Sequence, residues 1–279
     1  MARRRIADEP TSRLAIWARG CAMFSLAATV LAILIVRSGI LEIVPALATF
    51  AGALVFAVFA IVLSFAAFVV IWRDGINGAS LAFAAIAVGA ALIAYPAYLG
   101  VRAYSLPMIN DITTDPINPP RFEMLSRLRP RGTSDYAGLY AAEQQREAYP
   151  DIEPLVMTAK PQVAYDVALQ IITRRKWRVV VDRPPQAPRR DGQIEAVART
   201  AIMGFRDDVA IRVRADGDGS RIDVRSASRY GRHDLGTNAA RIRSLIEDID
   251  AAVSERDDEP RGPLPPKKPA PKGQQPAKR

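Results

Sequence analysis

Residues 205–229 read FRDDVAIRVRADGDGSRIDVRSASR. Two alternating runs flank Asp216-Gly217-Asp218-Gly219. In a strand, successive side chains point to opposite faces. Over 208–215, Val209, Ile211 and Val213 therefore share one face, and Arg212 and Arg214 take the other. Over 220–229, Ile222 and Val224 alternate with Arg221, Asp223, Arg225 and Arg229. Asp-Gly pairs between two such runs predict a tight hairpin. The pairing at the heart of the C-terminal half is thus antiparallel.

Toward the N-terminus, 193–201 reads as a further strand with Glu195 and Arg199 on its polar face, and 177–181 (WRVVV) as another. Pro184, Pro185 and Pro188 break the chain between them. Pro161 suits the first turn of a helix. Val163, Ala164, Val167, Ala168, Ile171 and Ile172 follow as an apolar stripe. That helix ends in Arg174-Arg175-Lys176, which complements the negative end of the helix dipole. Residues 152–157 form a first strand. A last helix over 237–254 puts Ile242, Leu245, Ile246, Ile249 and Val253 on one face. The order is strand, helix, four strands, helix. It predicts an α+β domain over 151–254, a mainly antiparallel sheet with two helices on one face and a helix-grip-like arrangement. The tail, 255–279, is rich in proline and lysine and is expected not to fold.

Residues 102–150 read as an extended connector. Pro116, Pro119 and Pro120 exclude a regular helix there, Ile112, Ile117 and Phe122 offer apolar surface to bury, and a short helix fits 134–147. Residues 20–101 are different material. The runs 20–36, 43–72 and 79–101 carry no charge, and about 20 apolar residues span a bilayer. The first run has a basic start (Arg3, Arg4, Arg5), but Arg37, Glu42 and a second span follow it without a small-x-small cleavage site. It reads as a retained anchor. Arginines near the span ends favour an N-terminus (1–19) on the cytoplasmic side, and three spans then put the C-terminal domain on the other side of the membrane. The spans offer Ser25, Thr29, Thr49 and Ser64 and no mid-span acid, which argues for an anchor rather than a transport path. Ala85 with Gly89 and Ala87 with Ala91 stand at the spacing of close helix packing, within one bundle or between copies in a homo-oligomer.

The chain has 279 residues, with 38 basic against 29 acidic residues and a net charge of +9. Residues 1–101, 102–253 and 254–279 each contribute +3. No part carries a basic excess of the kind that marks a nucleic-acid binder. One cysteine, Cys21, and one histidine, His233, exclude a disulfide framework and a multi-histidine metal site. No glycine-rich phosphate loop or dinucleotide fingerprint is present, so no cofactor is expected.

Further blocks carry a resemblance. They are Asp115-Pro116 with Asn118-Pro119-Pro120-Arg121-Phe122, Tyr149-Pro150-Asp151-Ile152 with Pro154, and Trp177. Next come Ile194-Glu195-Ala196 and Phe205-Arg206-Asp207-Asp208-Val209. The last are Asp223-Val224-Arg225-Ser226-Ala227-Ser228-Arg229, Gly231, Asp234-Leu235-Gly236, Asn238 and Arg241-Ile242. From about Asn110 to about Val253 the chain resembles the domain of unknown function family 1499. The resemblance implies bacterial or plastid relatives, some of them membrane-anchored, and no established reaction.

Two sets of residues bear on function. Arg199, Arg212, Arg214, Arg225 and Arg229 line the sheet face away from the helices. Arginine forks suit phosphate and carboxylate, so this face either binds an anionic ligand or carries cross-strand pairs with its own acids. The second set is Asp207, Asp208, Ser226, Ser228, His233 and Asp234. Asp207 and Asp208 point to opposite sides of an extended chain and do not act together; a structural bridge from either to Arg225 or Arg229 fits better. Asp234 or Asn238 suits the cap of the last helix. His233 is either a base or an exposed turn residue. Two functions follow. One is a membrane-anchored protein whose exported domain binds an envelope partner protein or anionic ligand without catalysis. The alternative is an envelope enzyme acting on lipid or glycan through Asp207, Asp208 or His233. An enzyme needs a concave pocket at the 205–208 turn and the 226–238 segment; a binding module needs a basic face or groove.

Overall fold

A computed structural model describes residues 10–39, 43–129, 136–186 and 191–258. Arg3, Arg4, Arg5 and the part of the expected tail over 259–279 lie outside them. Three long helices come first: α1 (Arg13–Ser38), α2 (Ile43–Asp74) and α3 (Ala79–Ser105). Their mean hydropathies are 2.0, 3.1 and 1.9, and each is long and apolar enough to cross a membrane. The bundle is built inside out relative to a soluble core. Ala18, Ala22, Ala60 and Ala85 pack together at its centre, while Phe24, Phe59, Phe65 and Trp72 face outward. Small residues inside and large apolar ones outside suit a lipid solvent, where close backbone approach holds helices together. The Ala85/Gly89 pair is used within this bundle. Both residues are buried, and a Cβ at Gly89 would meet Ile61 at 2.9 Å and the Ala57 carbonyl at 3.0 Å. Ala87 and Ala91 face outward. Ser25 closes a buried interhelical bond, its Oγ donating to the Ala53 carbonyl at 2.6 Å.

The C-terminal domain contains β1 (Asp111–Thr113), α4 (Gly138–Ala148), β2 (Leu155–Met157), α5 (Pro161–Arg174), β3 (Arg178–Arg183), β4 (Gly192–Arg199), β5 (Arg206–Asp216), β6 (Gly219–Ser228) and α6 (Thr237–Asp258). All pairing is antiparallel, in the order β1-β6-β5-β4-β3, with β2 also on the outer edge of β6. The β5–β6 hairpin pairs Asp216 with Gly219 and Asp207 with Ser228, as its alternation requires. Ile194, Val209, Ile211, Val213, Ile222 and Val224 point into the main core, where Ala164, Ile171, Ile172, Ile242, Leu245 and Ile249 of α5 and α6 meet them. The expected α+β architecture is therefore present, with a three-helix apolar bundle before it.

The stretch read as an extended connector takes part in the sheet. β1 lies along β6, and Ile112 is fully buried. Prolines 116, 119 and 120 forbid helix just beyond it but leave Asp111–Thr113 free to pair. The segment then crosses the face of the sheet opposite α5 and α6. Phe122 and Leu125 make a second small core there with Val197, Ala210 and Ala227. A 3-10 turn, Leu125–Leu128, follows. The short helix expected over 134–147 begins at Gly138 among the described residues, and the last helix runs four residues past 254, to Asp258.

Candidate functional site

The sheet's second face is a covered surface. Its arginines meet carboxylates of the same chain. Arg225 grips Asp111 with two nitrogens, Nε at 3.0 Å and Nη2 at 2.6 Å, and lies over the Phe122 ring at 4.5 Å. Arg229 donates twice to Asp208, at 2.9 and 2.7 Å. Arg129 approaches the same carboxylate at 3.6 Å, an ion pair too long for a hydrogen bond. Burial lowers the Arg129 pKa and raises those of Asp111 and Asp208, each against the pull of its ion-pair partner. Nearer the hairpin tip, fully buried Asp223 collects Arg212 (2.9 Å), Arg214 (2.8 Å) and Arg221 (2.8 Å), and Asp115 bridges the same three at 3.3 to 3.5 Å. Fully buried Glu195 accepts backbone N–H bonds from Glu123, Met124 and Leu125, which pins the crossing segment. Of the five candidate binding arginines, Arg212, Arg214, Arg225 and Arg229 thus serve internal carboxylates.

The second candidate set is divided between the two faces. Asp208 lies among the arginines just described. Asp207 lies on the helix side, where Arg241 donates to it at 2.5 Å. Ser226 and Ser228 join it through Asn238: Ser226 Oγ donates to Asn238 Oδ1 at 2.8 Å, and Asn238 Nδ2 donates to Ser228 Oγ at 3.0 Å. Asp234 accepts from the Gly236 and Asn238 backbones at 3.0 and 2.8 Å, capping α6, and burial raises its pKa. His233 accepts from the Leu235 N–H through Nδ1, and its Nε2 lies 3.2 Å from the Ala103 carbonyl near the end of α3. Asn238 and Arg241 hold this network together. Both stand in the quoted family blocks, but nothing in the strand pattern points to them. None of the cavities described is lined by Asp207, Asp208, Ser226, Ser228, His233 or Asp234. Among the described residues, no three His, Cys, Asp or Glu side chains gather as metal donors.

Arg199 is placed differently. It is exposed at the end of β4, where the β4–β5 turn rests on the end of α1. Arg199 Nη1 donates to the Arg37 carbonyl at 2.8 Å, and Arg37 Nη1 donates back to the carbonyls of Ala201 (2.7 Å) and Ile202 (3.0 Å). Gly204, at φ 73°, fits against the Arg37 side chain. Gly39 closes α1 in the left-handed region, with the Arg206 guanidinium against its bare Cα. A cleft of about 200 Å³ opens beside this junction. Lys176, Arg178, Arg199 and Arg206 line it, and among the described residues none of them meets a carboxylate. In the sequence the helix dipole accounts for Lys176, and no local pattern assigns Arg178 or Arg206 to a binding face. Only the fold brings all three to Arg199.

The model of the protein family of unknown function DUF1499 matches residues 111–249, which include the whole sheet and most of α6. No curated protein matches the chain.

Proposed function

We propose that this chain, whose residues 111–249 belong to the DUF1499 family, is a membrane-anchored binding module that takes an anionic ligand without catalysis. The spans hold it in a bacterial inner membrane with the N-terminus in the cytoplasm, and the domain works in the periplasm. One observation carries the reading. The chain neutralises its other candidate arginines with its own acids but, among the described residues, leaves four cations without carboxylates in one cleft. An uncompensated cluster is costly unless water or an anionic partner faces it. The separation of Asp207 from Asp208 across the sheet, and of both from every described cavity, supports a non-catalytic role.

The test is a thermal melt of the full-length protein in neutral detergent, titrated with inorganic pyrophosphate. Saturable stabilisation that Arg199→Ala with Arg206→Ala abolishes is the expected result. No stabilisation at low ionic strength, by pyrophosphate or by an anionic phospholipid, would overturn the reading. A periplasm-dependent phosphatase fused after residue 254 is expected to be active; inactivity there would move the domain to the cytoplasm.

A further inference from the structure

We infer that the cationic cleft beside the end of α1 seats the headgroup of an anionic glycerophospholipid drawn from the leaflet on the domain's side. The inference deepens the anion-binding reading and rests on it. Its first ground is position. Arg37 stands in the last turn of α1, one residue past the uncharged run 20–36, and it is bonded in both directions to the β4–β5 turn. Arg199 therefore lies at the level where a span ends and headgroups begin.

The second ground is the shape of the opening. A small crevice of about 70 Å³ runs beside the cationic cleft and is lined by Val36, Ile43, Phe205 and Tyr230. The two spaces share one lining residue, Arg206. Beyond that guanidinium stand Val36 and Ile43, at the adjoining ends of α1 and α2. A lipid has that same order of groups: phosphate, glycerol, acyl chain. A free anion would use only the first part. Tyr230 and Trp177 flank the opening, and such amphipathic rings favour the depth of the headgroups. The cleft is smaller than the roughly 300–1,000 Å³ of a pocket that engulfs a whole small molecule, so it fits a headgroup whose chains stay in the bilayer.

The third ground is the cations themselves. Arg175 and Arg229 also line the cleft but are held by Asp248 and Asp208. Lys176, Arg178, Arg199 and Arg206 remain. Lys176 sits at φ 57°, in the left-handed region just after α5, where glycine fits without strain. A lysine in that position places one more cation at the cleft.

The experiment uses the full-length protein in dodecyl maltoside with added phosphatidylglycerol, phosphatidylcholine or inorganic pyrophosphate. Melting temperature and native mass spectrometry are read together. Phosphatidylglycerol is expected to stabilise the protein saturably and remain bound at one equivalent, whereas phosphatidylcholine does neither. Arg199→Ala with Arg206→Ala is expected to weaken the effect by about thirtyfold, as loss of two headgroup-level cations implies. Arg146→Ala, on the exposed face of α4, leaves it intact. Should the double variant misfold, Lys176→Gln with Arg178→Gln replaces it and is expected to act in the same direction. Stabilisation by pyrophosphate with no preference for phosphatidylglycerol over phosphatidylcholine would overturn the lipid assignment and keep the anion site. Stabilisation by neither anion would remove both.

Discussion

Asp208 is fully buried and faces two guanidinium groups, Arg229 at 2.7 Å and Arg129 at 3.6 Å. Removing one partner of a buried ion pair leaves the other charge uncompensated in a poorly solvated place. Asp208→Asn is therefore expected to destabilise the domain by about 3–5 kcal/mol, measured as a fall in the denaturation midpoint of the 190s–220s strands. Asp234 makes a different statement. Burial raises its pKa above 3.8 despite the two backbone bonds it accepts. The folded state then holds the proton more tightly than the unfolded one. Its contribution to stability is largest below pH 3.8, declines as pH rises toward the folded pKa, and is flat above it. Replacing it with asparagine should flatten that part of the stability–pH curve; an unchanged slope across the window would contradict the assignment. At this scale the sequence was half legible. The period of two placed Asp207 and Asp208 on opposite faces and suggested a bridge to Arg229. The other partners, Arg129 and Arg241, lie 79 and 34 residues away in the chain, and no local pattern points to them.

The elements that formed as read are those with a long local signal. The β5–β6 hairpin, α5 and α6 each repeat their period several times. β1 and β2 are three residues each, too short to show a period, and exist because the edge of β6 offers unpaired backbone groups. Their seating is tight. A Cβ on Gly219 would run into the Met157 carbonyl and crowd Thr158 at 3.1 Å. Gly219→Ala is expected to cost about 1–3 kcal/mol through overpacking. It should also speed hydrogen exchange over 155–157 more than over β4, and uniform exchange would argue against this contact. The crossing segment 114–129 teaches the same lesson. Its prolines announced irregular chain, yet its role as a cover over a second core rests on Phe122, Leu125 and the Glu195 carboxylate, which meet only after folding.

Across the whole molecule, the domain is seated on the end of the bundle rather than hung from it. Arg37 ties α1 to the β4–β5 turn, and His233 reaches the Ala103 carbonyl of α3. Arg37→Ala is expected to raise protease cleavage at 200–205 while the domain's own melting stays near wild type, since exposed bonds of this kind contribute about 1 kcal/mol each. Equal cleavage in both proteins would show that the turn docks without this arginine. The sequence by itself determined the three spans, the antiparallel hairpin and the two covering helices. Each of these depends on hydrophobic length or periodicity within one stretch of chain. Tertiary structure alone decided which arginines, among the described residues, meet a carboxylate. Arg225 and Asp111 are 114 residues apart, and Arg199 meets the end of α1 from 162 residues away. Periodicity assigns a side chain to a face, but the charge it finds there is supplied by a distant part of the chain, and only the folded packing brings the two together.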